Sequence, residues 1–207
     1  MKPRDNPFRA AQISALRYRF PDGVSWPMLF DRLQKLGFRG ALVGREGSGK
    51  TTLLEEIQRG LNGAGFKTRL LSASSGRMTQ TLAGVTCPGI FLLIDSAERL
   101  SWLEWQRLRW AVRKAAGLVV TLHSPGRLPT LFECTTTPEL FSGLVSELLP
   151  SARENDLKSE DLSALFRRHQ GNLRSALREL YDGFSLRQTL KPLLHNDVQW
   201  AVTGNES

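Results

Sequence analysis

The sequence predicts an α/β fold: a three-layer sandwich whose helices cover both faces of a mainly parallel five-stranded sheet, followed by a small helical segment. Three observations carry this expectation. Five short runs, Phe38 to Val43, Thr68 to Leu71, Ile90 to Ile94, Leu118 to Leu122 and Leu131 to Thr135, are mostly apolar, as parallel strands buried on both faces are. Between several of these runs lie stretches whose apolar residues recur at helical spacing. A glycine-rich octapeptide, Gly44 to Thr51, joins the first run to the helix after it.

The elements follow in order. The first 24 residues hold Pro3, Pro7 and Pro21 among scattered aromatics and arginines, which predicts an irregular arm whose Phe8, Tyr18 and Phe20 pack onto the core. Ser25 is placed to cap a helix running to about Leu36, with Pro27 in its first turn, Leu29, Phe30, Leu33 and Leu36 on one face, and Gly37 at its end. Leu53, Leu54, Ile57 and Leu61 mark the helix after the octapeptide, with Gly60 near its end. A helix carrying Trp102, Trp105 and Trp110 turns Trp105, Leu108, Val112 and Ala115 toward the sheet. After Pro138 the pattern is helical, over Glu139 to Leu149, Ser159 to His169 and Leu173 to about Phe184. Pro150 and the polar stretch 151–158 read as a linker. The expected division is therefore an arm and helix over 1–37, a core over 38–150, a lid-like helical subdomain over 151–190, and a tail over 191–207.

Composition bounds the function. With 207 residues, 41% of them hydrophobic, the chain suits one packed domain with a small appendage. A formal charge of +8 favours an anionic partner, nucleic acid included, although part of the excess would serve to solvate the surface. Cys87 and Cys134 lack CxxC spacing or a histidine pattern, so they read as reduced structural residues and not as metal ligands. No apolar signal core opens the chain and no stretch reaches the roughly 18 apolar residues that span a bilayer. The expectation is a cytoplasmic protein with no membrane partner.

Gly-Arg-Glu-Gly-Ser-Gly-Lys-Thr, residues 44–51, is a complete phosphate-binding loop. Phosphate oxygens must be met by several backbone N–H groups at once, which needs a tight loop free of bulky Cβ atoms, and Gly44, Gly47 and Gly49 allow it. Arg45, Glu46 and Ser48 complete the loop. Lys50 supplies a compact cation for the β- and γ-phosphates, Thr51 a hydroxyl for Mg2+, and the first turn with Thr52 the positive end of a helix dipole. The competing reading is a chance glycine-rich turn, which the order strand, loop, helix opposes. The fold expectation thus becomes a P-loop NTPase sandwich binding ATP or ADP with Mg2+ at the carboxyl ends of its strands.

A second motif follows. Gly-Ile-Phe-Leu-Leu-Ile-Asp-Ser-Ala-Glu-Arg-Leu, residues 89–100, is an apolar strand ending in a carboxylate. Asp95 is placed to hold Mg2+ through water opposite Thr51, or else to cap the next helix. Glu98 is the nearest group able to orient an attacking water, or is an exposed helix residue. Thr121, His123 and Ser124 end the run at 117–124. His123 either reads the γ-phosphate or is a neutral histidine satisfied by a loop backbone.

Together the two motifs resemble the P-loop ATPases of the AAA+ and related additional-strand class, with their Walker A and Walker B sequences. Leu-Leu-Ile-Asp-Ser-Ala-Glu-Arg-Leu is similar to the second motif of bacterial ATPases that regulate DNA transposition and of their secretion-associated relatives. That resemblance implies a catalytic glutamate directly after the aspartate, a position held here by Ser96. Either Glu98 substitutes from further on, or the protein is chiefly a nucleotide-gated switch. The polar end of the 117–124 run falls where this class carries its first sensor. Residues 169–180 resemble the glycine-x-x-arginine opening of the class's lid helix, which implies that Arg174 lays a cation over the β- and γ-phosphates; a solvated arginine is the alternative. The resemblance spans about residues 38–184, with a short stretch between the two motifs.

Arg109 and Arg113 stand one turn apart on the tryptophan-bearing helix. They suit DNA or RNA phosphates, a neighbouring subunit's nucleotide, or plain solvent. The leading reading is a Mg2+-dependent ATP-binding protein, a slow AAA+-like ATPase acting as a conformational switch on a protein or nucleic-acid partner, or within a homo-oligomer. One rival is a small-molecule kinase using basic residues around Arg77 and Arg127. The other is a non-hydrolysing ATP-binding adaptor that contacts nucleic acid. GTP lacks support because no Asn/Thr-Lys-x-Asp motif is present.

Overall fold

A computed structural model describes residues 6–73, 88–149 and 159–196, with side chains to 185. Cys87 and Arg77 lie outside the described residues. The chain divides into two compact units, one over 17–135 and one joining 1–16 to 136–207. The boundary thus falls at 135/136 and not near 150. The reason is that the helix after Pro138 buries its apolar face among other helices and not on the sheet, and that the first residues of the arm join it there.

The larger unit is a five-stranded, all-parallel sheet: β1 (Arg39–Val43), β2 (Lys67–Ser72), β3 (Ile90–Asp95), β4 (Gly117–Leu122) and β5 (Thr130–Glu133). Strand order is β2-β3-β4-β1-β5. β4 lies inside the sheet, pairing with β1 on one side and β3 on the other. Helix α2 (Trp26–Lys35) precedes the sheet, α3 (Lys50–Gly63) follows β1, and α4 (Trp102–Ala111) follows β3. Each expected strand forms, shifted by at most two residues.

One layer sets Leu29, Leu33, Leu53, Leu54, Ile57 and Leu61 against Leu42, Phe91, Leu93 and Val119. The other sets Trp105, Leu108 and Val112 of α4 and the turn after it against Ala41, Leu92, Ile94 and Val120. Successive side chains of a strand alternate faces, so the continuous Phe-Leu-Leu-Ile of β3 feeds both layers, each side chain stabilising the fold by about 1.5–3 kcal/mol. Tyr18 and Phe20 join the first layer. Ser25 stands at the start of α2 in extended conformation without a side-chain cap bond.

In the other unit, α1 (Ala10–Ile13), α5 (Pro138–Leu148), α6 (Ser159–Arg168) and α7 (Leu173–Asn196) are helical. Phe8 sits in their core with Phe141, Val145, Phe166, Leu173, Ala176 and Leu177, so the arm's aromatics divide between the two units. Asn172 caps α7 by accepting from Ser175 N–H at 3.0 Å. Glu179 accepts from Arg168 at 2.6 Å and lies 2.6 Å from His169 Nε2. The histidine hydrogen bond, ahead of the arginine charge, holds the Glu179 carboxyl below its ordinary range.

Candidate functional site

The site begins where β1 ends. Gly44 donates to the Leu122 carbonyl at 3.1 Å, and Cys134 donates to the Val43 carbonyl at 2.7 Å, so β4 and the end of β5 clasp the loop's start. A Cβ on Gly44 would lie 2.5 Å from the Cys134 carbonyl and 2.7 Å from Ser48 Oγ, so only glycine fits. Gly49 turns the chain into α3 with φ 85°, in the left-handed region that costs glycine least. It offers no side-chain cap. The first N–H groups of a helix have no intrahelical partner, so the α3 terminus presents uncapped donors and the positive end of its dipole. Arg45 and Glu46 are exposed, Gly47 (φ 73°) and Thr52 half-buried, and Ser48 buried. The Ser48 hydroxyl is without a partner among the described residues.

Lys50 is only 8% exposed. Its ammonium donates to the carbonyls of Gly44 and Arg45 at 2.7 Å each, spending two of three N–H donors on the loop. Burial lowers the Lys50 pKa from its ordinary value, while the nearby carboxylates, Glu98 foremost and then Asp95 and Glu46, act the other way.

Across the loop, Thr51 Oγ1 lies 3.2 Å from both carboxylate oxygens of Asp95. Asp95 also accepts from Thr121 Oγ1 at 2.8 Å, and that hydroxyl in turn accepts from Ser96 N–H at 2.7 Å. Thr121 therefore locks the end of β3 to β4. Its polar side chain, 1% exposed, is satisfied by this bridge. The donor set of carboxylate and hydroxyl oxygens is hard and suits Mg2+, which is commonly held by one or two carboxylates plus phosphates. No group of three or more His, Cys, Asp or Glu able to form a metal cage occurs among the described residues.

Ser96 takes the left-handed conformation, φ 59° and ψ 39°, and the chain enters a single 3-10 turn, Ala97–Arg99. This reversal brings Glu98 to within 3.3 Å of His123 Nε2 at the end of β4. Glu98 Oε2 is buried with no protein partner among the described residues. His123 itself is exposed, as is Ser124. The turn is braced from below: Arg127 donates to the Ala97 and Leu100 carbonyls at 2.6 Å each and covers the Trp105 ring at 5.2 Å. Those two bonds commit the Arg127 guanidinium to the turn, contrary to the acceptor-binding part the kinase reading gives it.

Two residues at the loop had no signal in the sequence. Tyr18 carbons lie 3.2 and 3.5 Å from where a Gly49 Cβ would stand, and its backbone N–H donates to Glu56 at 3.0 Å. Burial drives the Tyr18 phenol well above its usual range and pushes the Cys134 thiol to about 11 against the opposing effects of Tyr18 and Lys50. Cys134 is a free, buried cysteine that abuts the phosphate loop. Arg174 stands exposed at the second position of α7, in the helical unit. Its neighbours Leu173, Ala176, Leu177 and Leu180 form a buried stripe at helical spacing, with Tyr181 partly buried beside it.

No family model and no curated protein matches this sequence. Among solved structures it is similar to domain III of the Thermotoga maritima replication initiation protein DnaA, with a TM-score of 0.60, 14% identity, and coverage of 84% of this chain and 88% of that one. A replication initiator DnaA bound to AMPPCP and single-stranded DNA matches with a TM-score of 0.49 and 14% identity, over 93% of this chain and 74% of that one. At 14% identity the first likeness shows the fold alone, a P-loop NTPase-like α/β sandwich.

Proposed function

We propose that this chain is a Mg2+-dependent ATP-binding protein and a slow ATPase, whose nucleotide state drives a conformational change delivered to a partner. The observation that carries the reading is the convergence of Lys50, Thr51, Asp95 and Glu98 around one glycine-rich loop at the carboxyl ends of β1 and β3. Uncapped N–H donors at the start of α3 and the third Lys50 donor meet the phosphates. Mg2+ held by Thr51 and, through water, by Asp95 would neutralise charge between the β- and γ-phosphates.

Glu98, held by His123, orients and deprotonates the attacking water, taking the part that the resemblance gives to position 96. Its unpartnered oxygen supports this role. A carboxylate displaced by two residues and shared with a histidine favours slow turnover. His123 acts through Glu98 in this reading, which replaces direct contact with the γ-phosphate. Arg174 is the cation through which the helical unit responds to nucleotide. Partners are ATP and ADP, with nucleic acid meeting the basic surface that includes Arg109 of α4 and Arg113 of the 3-10 turn after it. No described helix is long and apolar enough to cross a membrane, and we place the chain in the cytoplasm.

The test is ATP turnover by purified protein, with and without DNA, for wild type beside Lys50→Ala, Asp95→Ala, Glu98→Gln and Arg174→Ala. Turnover by wild type that each substitution abolishes or slows supports the ATPase reading. Wild type that binds ATP yet is as inactive as every variant establishes the non-hydrolysing adaptor instead, and phosphate transfer to a small molecule establishes the kinase.

A further inference from the structure

Trp102 is 69% exposed and Trp110 74%, while Trp105 between them is 5% exposed and sealed under Arg127. The inner tryptophan accounts for the packing of α4, and the outer two contribute nothing to that layer. They stand eight positions apart, which at 1.5 Å per residue is about 12 Å along the helix, with both side chains within a quarter turn. Arg107 and Arg109 of the same helix, and Arg113 and Lys114 of the 3-10 turn that follows it, are all exposed. The only carboxylate on this stretch, Glu104, is drawn into the capping box of Ser101, accepting from its N–H and hydroxyl at 2.8 Å.

We propose that the outward face of α4 binds single-stranded nucleic acid, with Trp102 and Trp110 stacking on bases and these four cations contacting phosphates. Four positive charges against one engaged carboxylate match a polyanion. Two exposed indole faces select the single-stranded form, because a base must be unstacked before an aromatic ring can cover it. Duplex DNA offers only its phosphates to this face. The binding is independent of sequence, since an indole has no base-reading pattern beyond one N–H donor. This inference deepens the nucleic-acid association proposed above but stands on α4 alone, not on the phosphate loop.

The experiment is fluorescence anisotropy of the full chain with a labelled twenty-nucleotide oligo-dT, against a duplex of equal length, over a range of salt. Wild type is expected to bind the single strand more tightly than the duplex. The double variant Trp102→Ala/Trp110→Ala should weaken single-strand binding by about tenfold or more, with the duplex unchanged. Trp102→Phe/Trp110→Phe should restore most of it, because a phenyl ring still stacks. Arg109→Gln/Arg113→Gln should lower the salt slope of log K by about 1.4. Anisotropy is read without nucleotide, which separates failure here from failure of the ATP reading. Equal affinity for duplex and single strand, or unchanged binding by the tryptophan-to-alanine variant, overturns the proposal. So does an effect of that variant confined to self-association in sedimentation, which would make the face a contact between copies of this chain.

Discussion

The phosphate loop and the turn after β3 meet the same site but are specified in different ways. In the loop, residues 44–51, much of the conformation is dictated within the segment: a Cβ at Gly44 would meet Ser48 Oγ, Gly49 adopts φ 85°, and Lys50 folds back on two loop carbonyls. In the turn, residues 95–100, conformation is imposed from a distance. Thr121 of β4 fixes Asp95 and Ser96, Arg127 pins two carbonyls, and His123 faces Glu98. A locally dictated segment can be read from its own sequence. A segment held by tertiary partners can drift from a family pattern, because those partners can re-aim a carboxylate from one position to another.

Substitutions can break or sharpen that contrast. The largest expected effect is at Glu98. Glu98→Gln keeps the size and shape of the side chain but removes its basicity, and should lower kcat by about 10²–10⁴-fold, read from phosphate release. Ser96→Glu in that background should not restore the rate, since the left-handed residue 96 does not share the position of the Glu98 side chain. Next is Arg127→Gln. Each hydrogen bond from a charged donor is worth about 1.5–3 kcal/mol before discounting for its partial exposure, so the melting temperature should fall measurably and turnover should fall with it. An unchanged Tm would remove Arg127 as the brace of the turn.

His123→Gln comes third. A partner that orients a catalytic carboxylate should cost about 10-fold to 100-fold in kcat, by analogy with the partners that orient metal ligands, with KM for ATP near the wild-type value. A raised KM at constant kcat would mean that His123 meets the nucleotide directly. Smallest is Gly44→Ala, an overpacking change costing about 1–3 kcal/mol of stability, measured by denaturant titration. Its effect should be relieved in part by Ser48→Ala, because Ser48 Oγ is one of the atoms the new methyl meets. If the two substitutions add without interaction, the loop is looser than its geometry implies.

Much of this was legible in the sequence for a definable reason. The buried strands announce themselves as continuous apolar runs because both faces of the sheet are covered, and the loop announces itself because its glycines are required by close approach and dihedral angle. The stripe of Leu173, Ala176, Leu177 and Leu180 is legible from helical spacing. What was not legible depends on residues far apart in the chain. Tyr18 buttresses Gly49 across more than thirty positions of sequence and carries no motif. Arg127 reads as a loop cation until its two carbonyl partners are seen. Thr121 reads as one of three polar residues ending a strand, and only the register of β3 with β4 shows that it binds Asp95. The unit boundary at 135/136 escaped for the same reason, since Pro150 marks a linker locally whereas the packing of Phe141 and Phe8 assigns their segments to the helical core.

The central claim is that the Gly44–Thr51 loop and Asp95 together hold a Mg2+-nucleoside triphosphate. Isothermal titration of ATP into wild type, Lys50→Ala and Asp95→Ala, with Mg2+ present and with Mg2+ chelated, tests it most directly. The account predicts a single site in wild type that weakens when Mg2+ is removed, a loss of about 10²-fold or more in Lys50→Ala from the missing charge-assisted hydrogen bond, and an Asp95→Ala variant whose affinity no longer depends on Mg2+. ATP binding of equal strength in wild type and Lys50→Ala, or no binding by wild type at all, would contradict it.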